Sequence, residues 1–221
     1  MFQIKAAITQ ATVVHPQSNL IPNLPPLPPV TELRDLDGSR VLLVVDVQYL
    51  TKGAKTHGYG ARADRLLDRV RAAAGPQGSV EAIACFLMKP ETTSLLLYDA
   101  LLRSGFEVMV VQSARTRHPK EDVDIQVTRA ILRMSPEVDH LVLVTGDYMP
   151  ADDIRWKKAR QPFEATVVSY PSSTSEELVE ACDHAFSIGA DLLVTKRDPQ
   201  PDPAPNLHLL RSRSQFGTRR T

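Results

Sequence analysis

The sequence has few of the features that mark secreted or membrane proteins. Its 221 residues include two cysteines, Cys85 and Cys182, without a Cys-x-x-Cys pairing. This scarcity excludes a disulfide scaffold and a cysteine-rich zinc site. The N-terminus does not have the pattern of a signal peptide, and no apolar run is long enough to cross a bilayer. We therefore expect a cytoplasmic protein without a membrane partner.

The sequence also lacks an excess of either charge. Lys and Arg together number 26, and so do Asp and Glu, which gives a formal net charge of zero. A globally basic nucleic-acid-binding protein is therefore not indicated, although a local basic patch can still attract a polyanion. Apolar residues make up 43% of the chain, which is enough for a sizeable core.

The two ends of the chain differ in composition from its middle. Residues 21–29 contain five prolines, which favours polyproline II structure, and we interpret residues 1–38 as an N-terminal extension. This segment is either a spacer or a ligand for a protein partner. Residues 197–221 are rich first in proline and then in arginine, and they form a predicted tail. The predicted domain is residues 39–196.

Within this domain, strand and helix patterns alternate about six times. Apolar runs typical of strands cover residues 41–47, 80–88, 106–112, 140–146, 164–170 and 191–195. Helix patterns cover residues 61–75, 90–105, 123–134, 151–161 and 174–186. This alternation predicts an α/β fold, an open, mostly parallel sheet with helices on both faces. Ligands bind such sheets beyond the carboxyl ends of the strands.

Several enzyme classes that use such sheets are excluded by missing motifs. Gly53 and Gly58 have P-loop spacing, but Tyr59-Gly60 stands where phosphate binding requires Lys-Ser/Thr. We therefore interpret residues 51–60 as a loop. No dinucleotide fingerprint follows a strand, and no Gly-x-Ser-x-Gly elbow is present. Scattered acidic residues remain as the candidate chemistry.

Three acids fall where the predicted fold brings separate elements together. Asp46 ends the first strand, Asp147 ends the fourth, and Asp124 opens the helix at 123–134. Three converging carboxylates repel one another unless a cation lies between them. Mg²⁺ or Mn²⁺ is the expected cofactor, and phosphodiester hydrolysis is the implied chemistry. A helix N-cap explains Asp124 equally well.

The order of these segments resembles the NYN domain family (LabA-like) of PIN-like nucleases over roughly residues 40–195. The family's first strand ends in Asp, as Val41–Asp46 does here, and its Lys-Gly-Val-Asp-Val-x-Leu segment is matched by Asp122–Val127. Its Ser-Gly-Asp-x-Asp-Phe motif resembles Thr145–Pro150, with Met149 at the second acid. Its closing pattern resembles Ser175–Phe186.

The resemblance implies a Rossmann-like three-layer sandwich and a metal-dependent endoribonuclease. Asp46, Asp124 and Asp147 would hold one or two Mg²⁺ or Mn²⁺ ions. Possible auxiliary acids are Asp152, Asp153 and Asp183. For the first two, a favourable interaction with the helix N-terminus is the alternative explanation.

Basic residues near the sheet edge, on the following helix and in the tail are the candidate RNA contacts. They are Lys52, Lys55, Arg155, Lys158, Arg211 and Arg213. Trp156, the single tryptophan, is predicted to be a core residue rather than a platform for a base. Because Met149 replaces an acid, the alternative function is a catalytically impaired RNA-binding or scaffold protein. A small-molecule phosphohydrolase that uses the same acids is a third possibility.

Overall fold

Strands and helices alternate along the chain of the computed structural model, which describes Leu33 and residues 36–56, 59–89, 92–112, 119–189 and 192–195. The strands are β1 Arg40–Asp46, β2 Tyr59–Ala61, β3 Ser79–Met88, β4 Glu107–Gln112, β5 His140–Val144, β6 Glu164–Ser169, β7 His184–Ser187 and β8 Leu193–Thr195. The helices are α1 Val47–Thr56, α2 Ala63–Ala74, α3 Thr92–Ser104, α4 Pro119–Leu132, α5 Pro150–Lys158 and α6 Glu176–Ala181, with a 3₁₀ turn at Pro171–Ser173.

A six-stranded parallel sheet with the order β4-β3-β1-β5-β6-β7 forms the middle layer. Every residue of β5 is buried, as expected for a parallel strand covered on both faces. The register places Val45 between Ala84 of β3 and Val144 of β5. Along the chain, β3 and then β4 are added on one side of β1, and β5, β6 and β7 are added in turn on its other side. A topological switch point therefore lies between β1 and β5.

Helices cover both faces of this sheet, which confirms the predicted fold class. Successive residues of a strand point to opposite faces. Leu43 and Val45 join an apolar cluster with residues of α1, α2 and α3, which we call the first cluster. Leu42 and Val44 join a second cluster with residues of α4, α5 and α6. β1 thus contributes to the core on both of its faces.

Residues 51–56 belong to helix α1 and residues 59–60 to strand β2, so the loop predicted over residues 51–60 was wrong at these positions. Helix α1 buries Val47, Leu50 and Ala54, which lie on one face at helical spacing. Gly53 lies inside this helix, and the ring of Tyr170 occupies the space that a side chain at this position would need. This glycine permits close packing and does not form a phosphate-binding turn.

The last strands also differ from the prediction. The pattern at 174–186 predicted one helix, but α6 ends at Ala181, and β7 pairs in parallel with β6. The strand predicted at 191–195 is instead the short β8, which pairs antiparallel with β2 outside the main sheet. Short apolar runs such as Ala185-Phe186 do not distinguish a strand from a helix end by periodicity.

The segment before β1 joins the core earlier than residue 39. Leu33 and Leu36 are buried, with 5% and 0% of their surface exposed, and both belong to the first cluster. The Gly38 amide donates to the Ala74 carbonyl at 3.0 Å, which ties this segment to the end of α2. The proline-rich residues 21–29 and the predicted tail from residue 197 lie outside the described residues.

Within the ranges given above, no helix is long and apolar enough to span a bilayer.

Gly53→Ala is expected to destabilise the protein by about 1–3 kcal/mol, because the new methyl group would overlap the Tyr170 ring. Helix propensity alone predicts the opposite sign, since Ala is better than Gly in a helix interior by about 1 kcal/mol. Urea unfolding measures the difference, with Lys55→Ala in the same helix as the control. A Gly53→Ala protein as stable as the unmutated one would contradict this packing.

Candidate active site at the carboxyl edge of the sheet

The switch point between β1 and β5 carries two of the predicted acids. Asp46 is the last residue of β1, and Asp147 follows β5 by three residues. Because these strands are parallel neighbours, both acids lie at the carboxyl edge of the sheet. Their charges interact, since the negative charge of Asp147 is among the causes that raise the pKa of Asp46. The structure therefore brings these two predicted residues together.

Asp46 is a buried carboxylate with only 6% of its surface exposed. Burial raises its pKa above the ordinary value, while hydrogen bonds from the backbone of Tyr49 and Gln48 and the positive charge of Lys52 act in the opposite direction. The Tyr49 amide donates to Asp46 Oδ1 at 2.9 Å. Asp46 is thus the N-cap of α1, a role that fixes the direction of its side chain.

Asp147 is half-buried on the short segment between β5 and α5. Its amide donates to Thr145 Oγ1 at 3.3 Å, and its Oδ1 accepts a hydrogen bond from the Met149 amide at 3.2 Å. These local hydrogen bonds hold the turn that presents the carboxylate at the edge. Tyr148 and Met149 beside it are exposed, at 58% and 39%.

Gly146 allows the chain to pass closely beneath the 3₁₀ turn. A side chain there would collide with the Ser173 carbonyl and would come within 2.7 Å of the Tyr49 ring. The Ser175 amide donates to the Gly146 carbonyl at 2.9 Å, which joins this segment to the start of α6. Only a residue without a Cβ fits this position, so the glycine of the motif has a packing role.

A pair of tyrosines supports α1 beside the acids. The Tyr49 hydroxyl accepts a hydrogen bond from the Tyr170 amide at 2.8 Å and lies 3.0 Å from Ser173 Oγ. The Tyr170 hydroxyl donates to the Leu50 carbonyl at 2.8 Å, and the two ring centroids are 5.5 Å apart. Burial raises the pKa of Tyr49, so its hydroxyl stays protonated at neutral pH. These contacts tie α1 to the end of β6.

Asp124 is the third predicted acid, and 5% of its surface is exposed. It is the sixth residue of α4, not the first, so the N-cap explanation was wrong. Its neighbour Val123 belongs to the second cluster, and α4 packs on β1 and β3. Asp46 continues the alternation of Leu42 and Val44 and therefore points to the same face of the sheet. Asp124 and Asp46 are buried on one face.

Cys85 is the register partner of Asp46 on β3. Burial, with a contribution from the negative charge of Asp46, raises the pKa of this thiol to about 12. Cys85 therefore stays protonated and is a small apolar neighbour of Asp46.

The carboxylates of Asp46 and Asp147 suit a magnesium ion that keeps several waters better than a metal ion bound entirely by protein ligands. Across the described ranges, no three His, Cys, Asp or Glu side chains are grouped so that they could hold a metal ion. Mg²⁺ commonly uses one or two carboxylates, several waters and substrate phosphate. Met149, at the position of the family's second acid, offers no oxygen ligand. The donor set therefore suits an ion whose remaining ligands come from water and substrate.

The possible auxiliary acids lie in different surroundings. Asp152 is exposed and accepts a hydrogen bond from Arg155 at 3.1 Å, while Asp153 accepts one from Thr128 at 2.8 Å. Asp183 accepts hydrogen bonds from Lys158 Nζ and the Ala165 amide, both at 2.7 Å. Ala165 lies at the start of β6. Asp183 is therefore at the amino edge, across the sheet from Asp46.

The predicted basic residues also lie in different surroundings, some near Asp46 and some away from it. Lys52 on α1 is close enough to lower the pKa of Asp46, and Lys55 lies on the last turn of the same helix. Arg155 is held by Asp152 and by the Glu177 carbonyl. Lys158 is bound to Asp183 at the amino edge, so it does not contribute to the acid pair. Arg211 and Arg213 lie outside the described residues.

Trp156 is on the surface rather than in the core, which corrects the prediction. Its exposed fraction is 48%, and the guanidinium of Arg160 lies 3.8 Å from the ring centroid. Met149 precedes Trp156 by seven residues, so both lie on one side of α5. The sequence pattern gave little sign of this position, because lone aromatic residues on such helices are usually buried.

The parallel sheet between two layers of helices is consistent with the fold of PIN-like domains. The chain belongs to the NYN domain family, whose model matches residues 40–189. A solved protein of unknown function from Vibrio parahaemolyticus has a similar fold, with a TM-score of 0.61 and 23% identity. That match covers 72% of this chain and 98% of the other. Comparison with curated proteins gives no match.

Asp46→Asn is expected to increase the free energy of unfolding at neutral pH in EDTA. Asn keeps an oxygen for the Tyr49 amide but has no charge to bury or to repel Asp147. Because the pKa of Asp46 is higher folded than unfolded, the folded state binds more protons between the two values. Its contribution to stability therefore falls as pH rises through that window.

Urea unfolding over a pH series measures this contribution, with the exposed Asp152→Asn as the matched control. In Asp46→Asn, but not in Asp152→Asn, the slope of the free energy of unfolding against pH should be less negative than in the unmutated protein. Equal slopes in Asp46→Asn and the unmutated protein would show that Asp46 is not under electrostatic strain.

Proposed function

We propose that this NYN domain protein is a metal-dependent endoribonuclease that hydrolyses RNA phosphodiesters beside Asp46 and Asp147. The observation that carries the proposal is a buried carboxylate, with a raised pKa, facing a second acid at the switch point of the fold. Such like-charged pairs are costly to ionise without a cation. Perturbed acids in this position are typical of functional sites rather than of structural ones.

Asp46 and Asp147 would hold Mg²⁺ or Mn²⁺ in this proposal. A divalent ion there would lower the pKa of a bound water and neutralise charge on the phosphate. The Tyr49 amide fixes Asp46 in advance, so little reorganisation of that carboxylate is needed. Asp124 is buried on the same face of the sheet as Asp46. Lys52 lies on the following helix, where its ammonium can contact an RNA phosphate.

Exposed side chains on the α5 side offer a path for single-stranded RNA. Tyr148 adjoins Asp147, and Trp156 presents a half-exposed ring with Arg160 over it. Bases stack on such rings irrespective of sequence, and Arg adds charge. This arrangement supports RNA as the substrate class in preference to a small phosphate ester.

A second candidate function is RNA binding without cleavage. Met149 at the usual acid position favours it, together with the absence of a three-ligand metal group among the described residues. The exposed aromatic residues would serve this function equally well. Metal-dependent cleavage is therefore the property that separates the two candidates.

Asp147→Asn is expected to abolish metal-dependent cleavage of RNA. Loss of a metal ligand costs several kcal/mol of transition-state stabilisation, which corresponds to a rate lower by about a hundredfold or more. The assay uses labelled single-stranded and hairpin RNAs with Mn²⁺ or Mg²⁺. Asp152→Asn is the matched control, because that acid is exposed and bound to Arg155.

Equal cleavage by the Asp147→Asn and unmutated proteins would contradict the proposed site. No cleavage by the unmutated protein, with RNA still bound at low salt, would support the binding function instead.

Met149→Asp is expected to increase cleavage and to lower the Mn²⁺ concentration needed for half-maximal activity. The substitution places a third carboxylate at an exposed position two residues from Asp147. Met149→Asn provides the control, because it has similar size to Asp but no charge. If both variants gave the same activity and metal requirement, Met149 would not adjoin a metal site.

A further inference from the structure

Strand β4 lies at one edge of the main sheet, and among the described residues no strand pairs with its outer side. Its six residues, Glu107–Gln112, pair with β3 in unbroken register. Between these ends the strand reads Val-Met-Val-Val, without proline or lysine. Proteins protect exposed edge strands with charged residues, prolines, bulges or very short strands. Apart from Glu107 at one end, β4 has none of these features, so it is suited to pair with another strand.

Helix α3 packs on β3 and β4 and presents two exposed leucines beside this edge. Leu101 faces inward and is 2% exposed, whereas Leu95 and Leu102 are 54% and 45% exposed. The two exposed leucines are seven residues apart and therefore lie on one side of the helix.

The handedness of the fold decides which way this side of α3 faces. Leu102 lies about 100° further round the helix than the inward Leu101. Because crossovers between parallel strands are right-handed, this side faces outward past β4 and away from α2. Ser104, whose carbonyl accepts a hydrogen bond from Arg71 of α2, lies on the opposite side. We call the side that carries Leu95 and Leu102 the outer flank of α3.

A second copy of this chain matches both surfaces with a single twofold axis. Two β4 strands that pair antiparallel are related by an axis perpendicular to the sheet, which passes near Met109 in the middle of the strand. Two antiparallel α3 helices that set Leu95 opposite Leu102 of the other copy have their axis midway between these residues. From Gly105, this midpoint lies about 10 Å along α3 and Met109 about 13 Å along β4, so the two axes nearly coincide.

The distance between the helices in such a pair is also that of packed helices. Strands are spaced about 4.8 Å apart, so α3, lying over β3 and β4, has its axis about 2.4 Å inside β4. The twofold axis lies about 2.4 Å outside β4, which separates the two α3 axes by about 9.6 Å. Helices in contact have interaxial distances of about 8–10 Å. Strand pairing would therefore bring the two outer flanks into contact.

The charges of these surfaces favour the same arrangement. Antiparallel pairing places the two Glu107 residues about 13 Å or more apart along the strands, whereas parallel pairing would set them side by side. On α3, Arg103 Nη2 lies 2.7 Å from Asp99 Oδ2, so these two charges neutralise each other next to the outer flank. The twofold arrangement thus brings no like charges together at these positions.

The expected size of the contact indicates a dimer of moderate affinity. Six paired residues on each strand form about six hydrogen bonds across the axis. Interfaces carry about one hydrogen bond per 100–200 Å², which corresponds to about 600–1,200 Å² of buried surface. Stable interfaces begin at about 1,200 Å², so we expect dissociation in the micromolar range.

We propose that two copies of this chain associate through β4 and the outer flank of α3 about a twofold axis, which joins their six-stranded sheets into one. The axis reverses the strand direction, so the carboxyl edges of the two sheets face opposite ways. The two copies of the acid pair would lie at opposite edges of the joined sheet. Dimerisation would therefore not merge them into one site.

Sedimentation equilibrium of the full-length chain tests the proposal over concentrations from about 1 μM to about 1 mM. Leu95→Glu with Leu102→Glu is expected to raise the dissociation constant of the dimer about a hundredfold or more, because unpaired charges would be buried at the contact. Ile125→Glu with Leu132→Glu is the matched control. These residues are also seven apart, and each is 41% exposed, but they lie on α4.

Two outcomes of this experiment would overturn the proposal. One is a protein that stays monomeric up to about 1 mM. In that case, protection of the β4 amides from hydrogen exchange would identify another segment of the same chain as the occupant. The other is a dimer that both double variants leave equally stable, which would place the contact elsewhere on the molecule.

Disulfide formation between two single variants tests the antiparallel arrangement of α3. An oxidised mixture of Leu95→Cys and Leu102→Cys should give at least about ten times more covalent dimer than either variant alone, because the twofold axis sets these positions opposite each other. The native Cys85 is buried and present in every sample, so it does not affect the comparison. Equal yields from the mixture and from the separate variants would contradict the proposed axis.

Discussion

Burial of a carboxylate at the end of the central strand is the constraint on which the candidate site depends. Asp46 cannot leave this position, because it both ends β1 and caps α1 through the Tyr49 amide. Burial removes water from its carboxylate, and the charge of Asp147 repels it, so ionised Asp46 destabilises the folded state. Proteins retain such interactions where a ligand relieves them. In the proposed function, the cost in stability and the affinity for a cation would therefore have one origin.

The rest of the site follows from how closely the chain packs around this point. Gly53 admits the ring of Tyr170, and Gly146 admits the 3₁₀ turn and the ring of Tyr49. Each tyrosine hydroxyl then bonds the backbone of the opposite element, which fixes α1 against the end of β6. The acids are thus positioned by backbone contacts that glycine makes possible. Charged side chains at the amino edge, such as Lys158 and Asp183, instead pair with each other.

The sequence predicted the features that depend on long periodic patterns. Five strands of the parallel sheet and the carboxyl-edge position of Asp46 and Asp147 follow from apolar runs and the rules of parallel sheets. It did not predict α1, because a glycine required by packing is indistinguishable in one sequence from a turn glycine. It also misassigned β7, a strand of four residues that begins after the last helix. The burial of Asp124 on the same face of the sheet as Asp46 depends on tertiary contacts that no sequence spacing encodes.

The burial of Cys85 next to Asp46 has a consequence for redox chemistry. A thiol reacts with oxidants and alkylating reagents as the thiolate, and its pKa of about 12 leaves very little thiolate at neutral pH. Burial raises the pKa of Cys182 to a similar value. The native thiols are therefore poor targets for peroxide and maleimide in the folded protein. A cysteine introduced on the surface would be modified ahead of them, so a single probe could be attached without removing either native residue.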